Sequence, residues 1–277
     1  MGENFAFKNG IEFTYKNHKD TKHLNMKVTT NKAYDFTASF DRLQDILDSA
    51  ETFESVDTVP NSDTLSYSNG YYFKCYAIFI DIRDSSKLPG KYQKRTLAKI
   101  YRAYISEIVA LFQSSANCKE INIVGDSVWG IYNAKIKDDI TDVFHAAYAA
   151  CSIINTLNYK LCKKGIDPIR VGIGIDKGDA LMILAGFKGS GINDVIYMGG
   201  VVNNASKLCS KGSKNANGTI VISDDVYADL QGKGNGTHEY QSYFTRNYLE
   251  GNYHSTMVRI DMNNWLNEQQ IKSPCNL

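Results

Sequence analysis

The sequence has neither a long apolar run nor an excess of charge of either sign. Nowhere do about 18 apolar residues follow one another, as a membrane-spanning helix requires. The N-terminus also lacks the basic and apolar regions of a secretory signal. Lysine and arginine number 31 against 30 acidic residues, which is no signature of polyanion binding. We therefore predict a soluble cytoplasmic protein that has no membrane partner and no nucleic-acid partner.

Paired cysteines and histidine-cysteine clusters are also missing, which argues against a zinc site. No two cysteines have Cys-x-x-Cys spacing, and several fall at apolar positions of predicted strands or helices. We predict that all six are core thiols of a reducing cytosol. They are Cys75, Cys118, Cys151, Cys162, Cys209 and Cys275.

The 277 residues are enough for one large domain with an extension. Residues 1–70 are polar, with one plausible helix at residues 33–49, and we predict an N-terminal extension packed on the core. Residues 71–277 are predicted to form the main domain, which ends in a hairpin and a helix. The element order is strand, helix, hairpin, helix, hairpin, helix, strand. This order predicts an α+β sandwich, with helices on one face of a mainly antiparallel sheet.

Apolar residues recur at spacings of three and four over 97–112 and 140–161, which predicts two long amphipathic helices. Between them, two short apolar strands flank Gly125 and Asp126, a strong hairpin signal.

Two further strands are predicted at residues 169–175 and 180–185, joined through Lys177-Gly-Asp179 and followed by a flexible loop over 186–194. Gly172 and Gly174 inside the first of these strands predict close approach by another backbone.

An apolar run from Tyr76 to Ile80 stops at Asp81, which predicts a buried strand that ends in a carboxylate. Such a carboxylate is costly unless it is paired, hydrogen-bonded or bound to a metal. Asp84, Ser85 and Ser86 follow as N-cap residues ahead of a helix, whose free N–H groups could bind an anion.

Asp126 at the hairpin turn supplies a second carboxylate. Together with Asp81 it could hold a pair of divalent ions for phosphoryl chemistry, and hard oxygen ligands select Mg²⁺ or Mn²⁺.

Four motifs in order resemble the signatures of class III nucleotidyl cyclases, and the resemblance spans roughly residues 73–225. They are Phe79-Ile-Asp81-Ile-Arg-Asp-Ser-Ser86, Val124-Gly-Asp126, Val171-Gly-Ile-Gly174 and Gly199-Gly-Val-Val-Asn203-Asn-Ala-Ser-Lys207. Residues 98–106 and 186–194 are similar to the bacterial anti-phage branch, the Pycsar pyrimidine cyclases, which make cyclic UMP or cyclic CMP.

This resemblance implies a ferredoxin-like cyclase sandwich that forms a homodimer with two composite active sites. In each site Asp81, Asp126 and the backbone carbonyl of Ile82 would hold two ions of Mg²⁺ or Mn²⁺. The other protomer would supply Asn203 and a cation, and Asp84, Ser85 and Ser86 would cradle phosphate. The resemblance also implies a separate effector that responds to the cyclic nucleotide during phage infection.

Two departures from adenylate cyclases concern the base. Asn122 stands where those enzymes carry a base-reading lysine, and Ile196 stands where they carry aspartate or threonine. An amide can both donate to and accept from a pyrimidine edge, so UTP is the first expected substrate and CTP the second. Four nearby aromatic residues could narrow the pocket to a single ring, although core packing is the simpler role for them: Tyr71, Tyr72, Phe73 and Tyr76.

The third departure is Lys207, where the family has a transition-state arginine. A lysine is a point charge and cannot fork onto two phosphate oxygens. Either Lys207 acts alone or another cation, such as Lys211 or Arg246, assists it.

Three other functions remain open from the sequence. They are an adenylate or guanylate cyclase with an unusual pocket, an idle dimer module that binds a nucleotide, and a polymerase-like palm acting on nucleic acid. The paired carboxylates argue against the second, and the neutral charge argues against the third.

Overall fold

The computed structural model describes residues 33–234 and 238–275, so most of the first half of the predicted extension lies outside the described residues. The described chain forms one sheet of nine strands and seven α-helices. The strands are β1 (Thr52–Ser55), β2 (Asn69–Ile82), β3 (Cys118–Val124), β4 (Ser127–Asn133), β5 (Val171–Phe187), β6 (Ile192–Met198), β7 (Ile220–Ile222), β8 (Thr245–Asn247) and β9 (Asn252–Ser255). The helices are α1 (Phe36–Asp48), α2 (Leu88–Lys91), α3 (Lys94–Gln113), α4 (Asp139–Cys162), α5 (Gly200–Lys211), α6 (Asp224–Asp229) and α7 (Ile260–Lys272).

The strands follow the order β3-β4-β2-β5-β7-β9-β8, with β1 paired to β2 and β6 paired to β5. Only the β1–β2 and β5–β7 pairs among these described strands are parallel. The predicted α+β fold with a mainly antiparallel sheet is therefore confirmed. In the described part of the chain, no helix is long and apolar enough to cross a membrane.

Strand β2 lies at the centre of the sheet and presents a different set of side chains to each face, because successive strand residues point in opposite directions. Tyr76, Ile78 and Ile80 are fully buried in the main core together with apolar side chains of α3 and α4. Phe73 and Ala77 point to the other face, where they pack with residues of α5. Helices thus cover both faces of the sheet, and the expectation of helices on one face only was wrong.

Glycine explains how α5 reaches the second face. A Cβ atom on Gly174 would lie 2.0 Å from the backbone nitrogen of Cys209 and 2.2 Å from the carbonyl oxygen of Ala205. Such distances are far inside van der Waals contact, so only glycine permits this approach. The predicted close approach of another backbone to this strand is confirmed, and the approaching element is α5.

The predicted break at Lys177-Gly-Asp179 does not exist. Strand β5 runs unbroken through these residues, because the long strand β2 pairs with it from Gly70 opposite Ile183 to Ile82 opposite Val171. The chain turns later, near Gly189 and Gly191, which have φ values of 82° and 71°. Strand β6 therefore begins inside the stretch that was predicted to be a flexible loop.

The expectation that all six cysteines are free thiols was wrong for two of them. Cys162, at the end of α4, forms a disulfide with Cys275, which follows α7. The two residues are 113 positions apart in the sequence, so no spacing rule could pair them. The other four cysteines are free thiols, and Cys75, Cys151 and Cys209 are buried as predicted.

Helix α1 confirms the helix predicted near residues 33–49. The Asp35 carboxylate caps it by accepting hydrogen bonds from the backbone N–H groups of Thr37 and Ala38, at 3.0 and 3.1 Å. None of its residues is buried, whereas β1 joins the sheet beside β2.

Candidate active site

Asp81 and Asp126 lie close together at the end of the central strand β2. Asp81 is the penultimate residue of β2, and Asp126 lies in the turn that joins β3 to β4. The turn depends on Gly125, whose φ of 64° lies in the left-handed region. Burial and the nearby Asp126 carboxylate raise the pKa of Asp81, and the positive charge of Arg83 only partly opposes them. A cation bound between the two carboxylates would relieve this repulsion.

Arg83 is the direct partner of Asp81. Its Nη2 atom donates a 2.7 Å hydrogen bond to Asp81 Oδ2 and a 3.2 Å bond to the Asp81 carbonyl oxygen. The arginine side chain is 3% exposed and that of Asp81 is 34% exposed. One face of Asp81 is therefore fixed to the protein while part of the side chain still reaches solvent.

The residues present suit a hard divalent cation that binds jointly with a substrate. Asp126 Oδ2 is buried and has no hydrogen-bond partner among the described residues, which leaves it free to act as a ligand. The described chain contains no cluster of three or more metal-ligating side chains. Mg²⁺ commonly binds through one or two carboxylates, with water and substrate phosphates as its other ligands.

The turn after β2 differs from the prediction. Asp84 has a left-handed φ of 56°, and its carboxylate bonds with Lys87 at 2.9 Å and with Arg170 at 3.2 Å instead of capping a helix. Ser85 and Ser86 open a short 3₁₀ helix that continues into α2, and the long helix α3 begins only at Lys94. The backbone N–H groups of this turn still follow Asp81 closely in the chain. The charge of the Asp84 carboxylate is neutralised by Lys87 and Arg170.

Asn122 on β3 lies beside an aromatic cluster. It is directly opposite Trp129 on β4, and Trp129 stacks on Phe79 with ring centroids 5.1 Å apart. Tyr197 of β6 meets the Trp129 ring edge-on at 6.0 Å. The Asn122 Nδ2 atom is buried without a hydrogen-bond partner among the described residues. A buried donor without an acceptor is costly, so this position suits a ligand that carries an acceptor.

Ile196 is not on the same face as Asn122. It is adjacent in sequence to Tyr197, which faces the aromatic cluster, so strand alternation directs Ile196 the other way, where it is 39% exposed. Of the aromatic residues proposed for the base pocket, Tyr76 is fully buried in the main core and Tyr72 is 47% exposed. Phe73 contacts the cluster through Tyr197 at 6.4 Å, and Tyr71 packs against the same group of apolar side chains.

Asn203 and Lys207 lie one turn apart on α5 and are both exposed. Lys207 lines an open cleft of about 800 Å³ between α5 and the start of α6. Within the described residues it has no ion-pair partner and pairs with neither Asp81 nor Asp126. One protomer therefore does not join the two predicted halves of the site.

The alternative cations are already engaged. Lys211 Nζ donates to the Glu250 carbonyl oxygen at 3.2 Å and lies 3.6 Å from the Glu250 carboxylate. Arg246 pairs with Asp224 at 3.3 Å and donates a 2.7 Å hydrogen bond to the Tyr253 hydroxyl. Lys207 is the cation of these three whose charge is free for a ligand.

The sequence prediction missed Arg83, Trp129 and Tyr101. Burial of Tyr101 on α3, together with the charges of Asp126 and Asp81, raises the pKa of its hydroxyl, and the neighbouring Ser85 partly opposes this shift. Arg83 stands inside the same motif as Asp81, and that position was the available signal. Trp129 and Tyr101 were assigned to a strand and to a helix core, since nothing in their spacing distinguishes a site residue from a packing residue.

Comparison with known proteins identifies the family. Residues 70–259 match the model of the adenylate and guanylate cyclase catalytic domain. A uridylate cyclase from Gulbenkiania mobilis is 39% identical over 262 residues, which cover 87% of this chain and 99% of that protein. A uridylate cyclase from Treponema porcinum is 34% identical over 86% of this chain and 82% of that protein.

A more distant relative and a solved structure agree with this match. A cytidylate cyclase from Staphylococcus aureus is 28% identical over 65% of this chain and 43% of that protein. The crystal structure of the adenylyl cyclase CyaB from P. aeruginosa has the same fold, with a TM-score of 0.52 and 23% identity over 58% of this chain and 82% of that chain. The chain belongs to the adenylate and guanylate cyclase catalytic domain family, the class III cyclases, and is a nucleotidyl cyclase.

Proposed function

We propose that this enzyme converts UTP to 3′,5′-cyclic UMP and pyrophosphate. The 3′-oxygen of the ribose forms a bond to the α-phosphorus and loses its proton to solvent water. The bond from the α-phosphorus to the bridging oxygen breaks, and pyrophosphate leaves. Because the nucleophile and the phosphorus belong to one bound molecule, the step is effectively unimolecular. Two relatives named uridylate cyclase, which match most of the chain, support this choice of substrate.

The observation that carries the proposal is the pair of carboxylates with a buried, unpartnered Asp126 Oδ2. Asp81, Asp126 and the Ile82 carbonyl would hold two ions of Mg²⁺ or Mn²⁺. When bound, these ions would lower the pKa of the 3′-hydroxyl and balance the charge of the triphosphate. The backbone N–H groups of Ser85 and Ser86 would donate to the phosphates, while Lys87 and Arg170 neutralise the neighbouring Asp84 carboxylate.

The second half of the site would come from another copy of the chain. Asn203 would orient the ribose, and Lys207 would meet the charge that develops on the α-phosphate and the leaving group. Both side chains are exposed on α5, and Lys207 has no partner within the described residues of its own protomer. A homodimer with two composite sites accounts for this exposure.

Asn122 would read the base. Its unpartnered Nδ2 atom is a donor, and the O4 carbonyl of uracil is an acceptor where cytosine carries an amino group. Ile196, which points away from Asn122 within one protomer, would add no polar group to this pocket. CTP is the second candidate substrate, which the cytidylate cyclase relative supports. An amide that rotates by 180° would present its oxygen to cytosine instead.

The cellular role we propose follows from the likeness to the anti-phage pyrimidine cyclases. The cyclic nucleotide would act in the cytoplasm as a second messenger in anti-phage defence. It would be recognised by a separate effector protein.

The test is incubation of the purified protein with each of the four ribonucleoside triphosphates and Mn²⁺, followed by mass spectrometry of the products. Cyclic UMP should be the main product. Cyclic CMP as the main product would replace UTP by CTP, and cyclic AMP or cyclic GMP would replace the pyrimidine assignment altogether. Asp81→Ala and Asp126→Ala should each abolish the product, whereas Asp45→Ala, an exposed control on α1, should not. Product formation by either site variant contradicts the metal assignment.

A further inference from the structure

Within one protomer, Arg83 contacts both the end of β2 that carries Asp81 and the last turn of α5, the helix that carries Lys207. On one side, its guanidinium bonds the Asp81 carboxylate at 2.7 Å and the Asp81 carbonyl oxygen at 3.2 and 3.3 Å. On the other side, Nη1 donates a 3.1 Å hydrogen bond to the carbonyl oxygen of Ser210 in the last turn of α5. A single buried side chain therefore contacts both a proposed metal ligand and the helix that carries Asn203 and Lys207.

The contact between Arg83 and the Ser210 carbonyl oxygen stabilises the C-terminal end of α5. The last carbonyl groups of a helix lack partners inside the helix, and a cation there satisfies them and complements the helix dipole. Nη2 also lies 3.8 Å from the Cys209 sulfur, and a Cβ on Gly172 would lie 3.0 Å from Arg83 Cζ. The guanidinium is thus enclosed between β5 and the end of α5.

The position of Lys207 depends on this end of α5. Lys207 precedes Ser210 by less than one helical turn, and the Ser210 hydroxyl donates a 2.6 Å hydrogen bond to the Lys207 carbonyl oxygen. A shift of the last turn would therefore move Lys207. Misplacement of a catalytic group by about 1 Å can cost on the order of a hundredfold in rate.

We infer that Arg83 is a positioning residue that serves both active sites of the dimer, one through Asp81 and the other through the end of α5. The inference rests on the proposed function, in which Asp81 and α5 of one chain belong to different composite sites. Each arginine then supports the metal half of one site and the lysine half of the other.

Mixed dimers separate the two roles. One subunit carries Asp81→Ala, and the other carries Asn203→Ala with Lys207→Ala, so that the pair retains one complete site. Arg83→Met is then added to either subunit. The Asp81→Ala subunit supplies only its α5 to the complete site, and its Arg83 keeps the backbone carbonyl groups of residues 81 and 210 as partners. Arg83→Met in this subunit therefore tests the α5 contact alone.

We expect Arg83→Met to lower kcat about tenfold or more in either subunit, with a smaller change in KM for UTP. Arg83→Lys should restore only part of the rate, because one ammonium group cannot reach both sides as a guanidinium does. Arg83→Lys replaces Arg83→Met in both subunits if Arg83→Met lowers the melting temperature too far for the protein to stay folded. Arg102→Met, an exposed arginine on α3, is the matched control and should change nothing.

A second measurement does not depend on activity. Hydrogen exchange of the backbone amides in residues 206–212, without nucleotide or metal, should be faster in Arg83→Met than in wild type and unchanged in Arg102→Met. Either of two results overturns this inference and leaves the proposed function standing. One is unchanged hydrogen exchange in Arg83→Met, and the other is full activity when Arg83→Met is in the subunit that supplies α5. An inactive mixed dimer that carries no Arg83 substitution overturns the composite dimer, and the inference with it.

Discussion

The Tyr76 hydroxyl donates a 2.6 Å hydrogen bond to the carboxylate of Asp229, 153 residues further along the chain. Lys177 donates to the same oxygen atom, also at 2.6 Å. Burial and the neighbouring Asp229 raise the pKa of Tyr76, so the hydroxyl keeps its proton and remains a donor. This contact fastens α6 to the central strand, where Tyr76 points to the face of the sheet opposite the one that Asp81 faces.

Tyr76→Phe should lower the free energy of unfolding by about 1–2 kcal/mol, because it leaves a buried acceptor with one partner fewer. The cyclase rate at a temperature where the variant stays folded should be unchanged. Urea denaturation checks the first expectation. Tyr72→Phe, at a half-exposed position of the same strand, is the control and should leave the unfolding curve in place.

Lys207→Ala should lower kcat by roughly 100-fold to 1,000-fold, the usual cost of one group that stabilises a developing anion. Lys207→Arg should retain much of the rate, because the family itself uses arginine at this position. Steady-state kinetics with UTP and Mn²⁺ compares the two. Lys188→Ala, at the exposed turn between β5 and β6, serves as the charge-matched control. A Lys207→Ala enzyme with wild-type kcat would exclude Lys207 from the reaction.

Gly174→Ala should lower the free energy of unfolding by about 1–3 kcal/mol and should also lower cyclase activity. The added methyl group would overlap the backbone of α5 at Ala205 and Cys209, so the helix must move away from the sheet. Thermal denaturation and kinetics measure the two effects. Gly90→Ala is the control, since nothing lies within 4 Å of its Cβ position. Equal behaviour of the two variants would contradict the close packing of α5.

Stability should depend on pH through Asp176, which is 4% exposed. Burial raises its pKa above the ordinary value, although hydrogen bonds from Ser223 and Asn204 oppose the shift. The stabilisation from the protonated form is complete below the unfolded pKa and is lost as pH rises through the folded pKa. Asp176→Asn should therefore gain stability relative to wild type as pH rises above the ordinary pKa of an aspartate carboxyl group. Asp45→Asn, on the exposed side of α1, should show no such trend in the same denaturation series.

Local patterns were sufficient to predict most elements and the two carboxylates. The helices around Tyr104 and Ala147 follow from apolar spacing, and Asp81 was conspicuous because an apolar run ends at it. Gly172 and Gly174 predicted that a backbone packs on their strand, and α5 does so. In each case the signal lies within about 20 neighbouring residues, the range over which periodicity and turn chemistry operate.

Three of the failures depend on partners that are distant in sequence. Lys177-Gly-Asp179 has the composition of a turn, yet pairing with the long strand β2 keeps it extended. The pairing of Cys162 with Cys275 arises from the packing of α7 on α4, which no local pattern records. Arg83 stands two residues after Asp81 in the sequence, but its second partner, Ser210, is more than a hundred residues away.

Because β2 buries different side chains on its two faces, it should not tolerate the insertion or deletion of a single residue. Along the strand, Tyr76, Ile78 and Ile80 are core residues, and Phe79 and Asp81 belong to the opposite side. A one-residue insertion or deletion between Tyr76 and Asp81 would exchange the two sets on one side of the change. It would direct Asp81 into the apolar core or Tyr76 out of it. This segment should therefore tolerate conservative substitutions but reject every single-codon insertion or deletion, a pattern that deep mutational scanning would display directly.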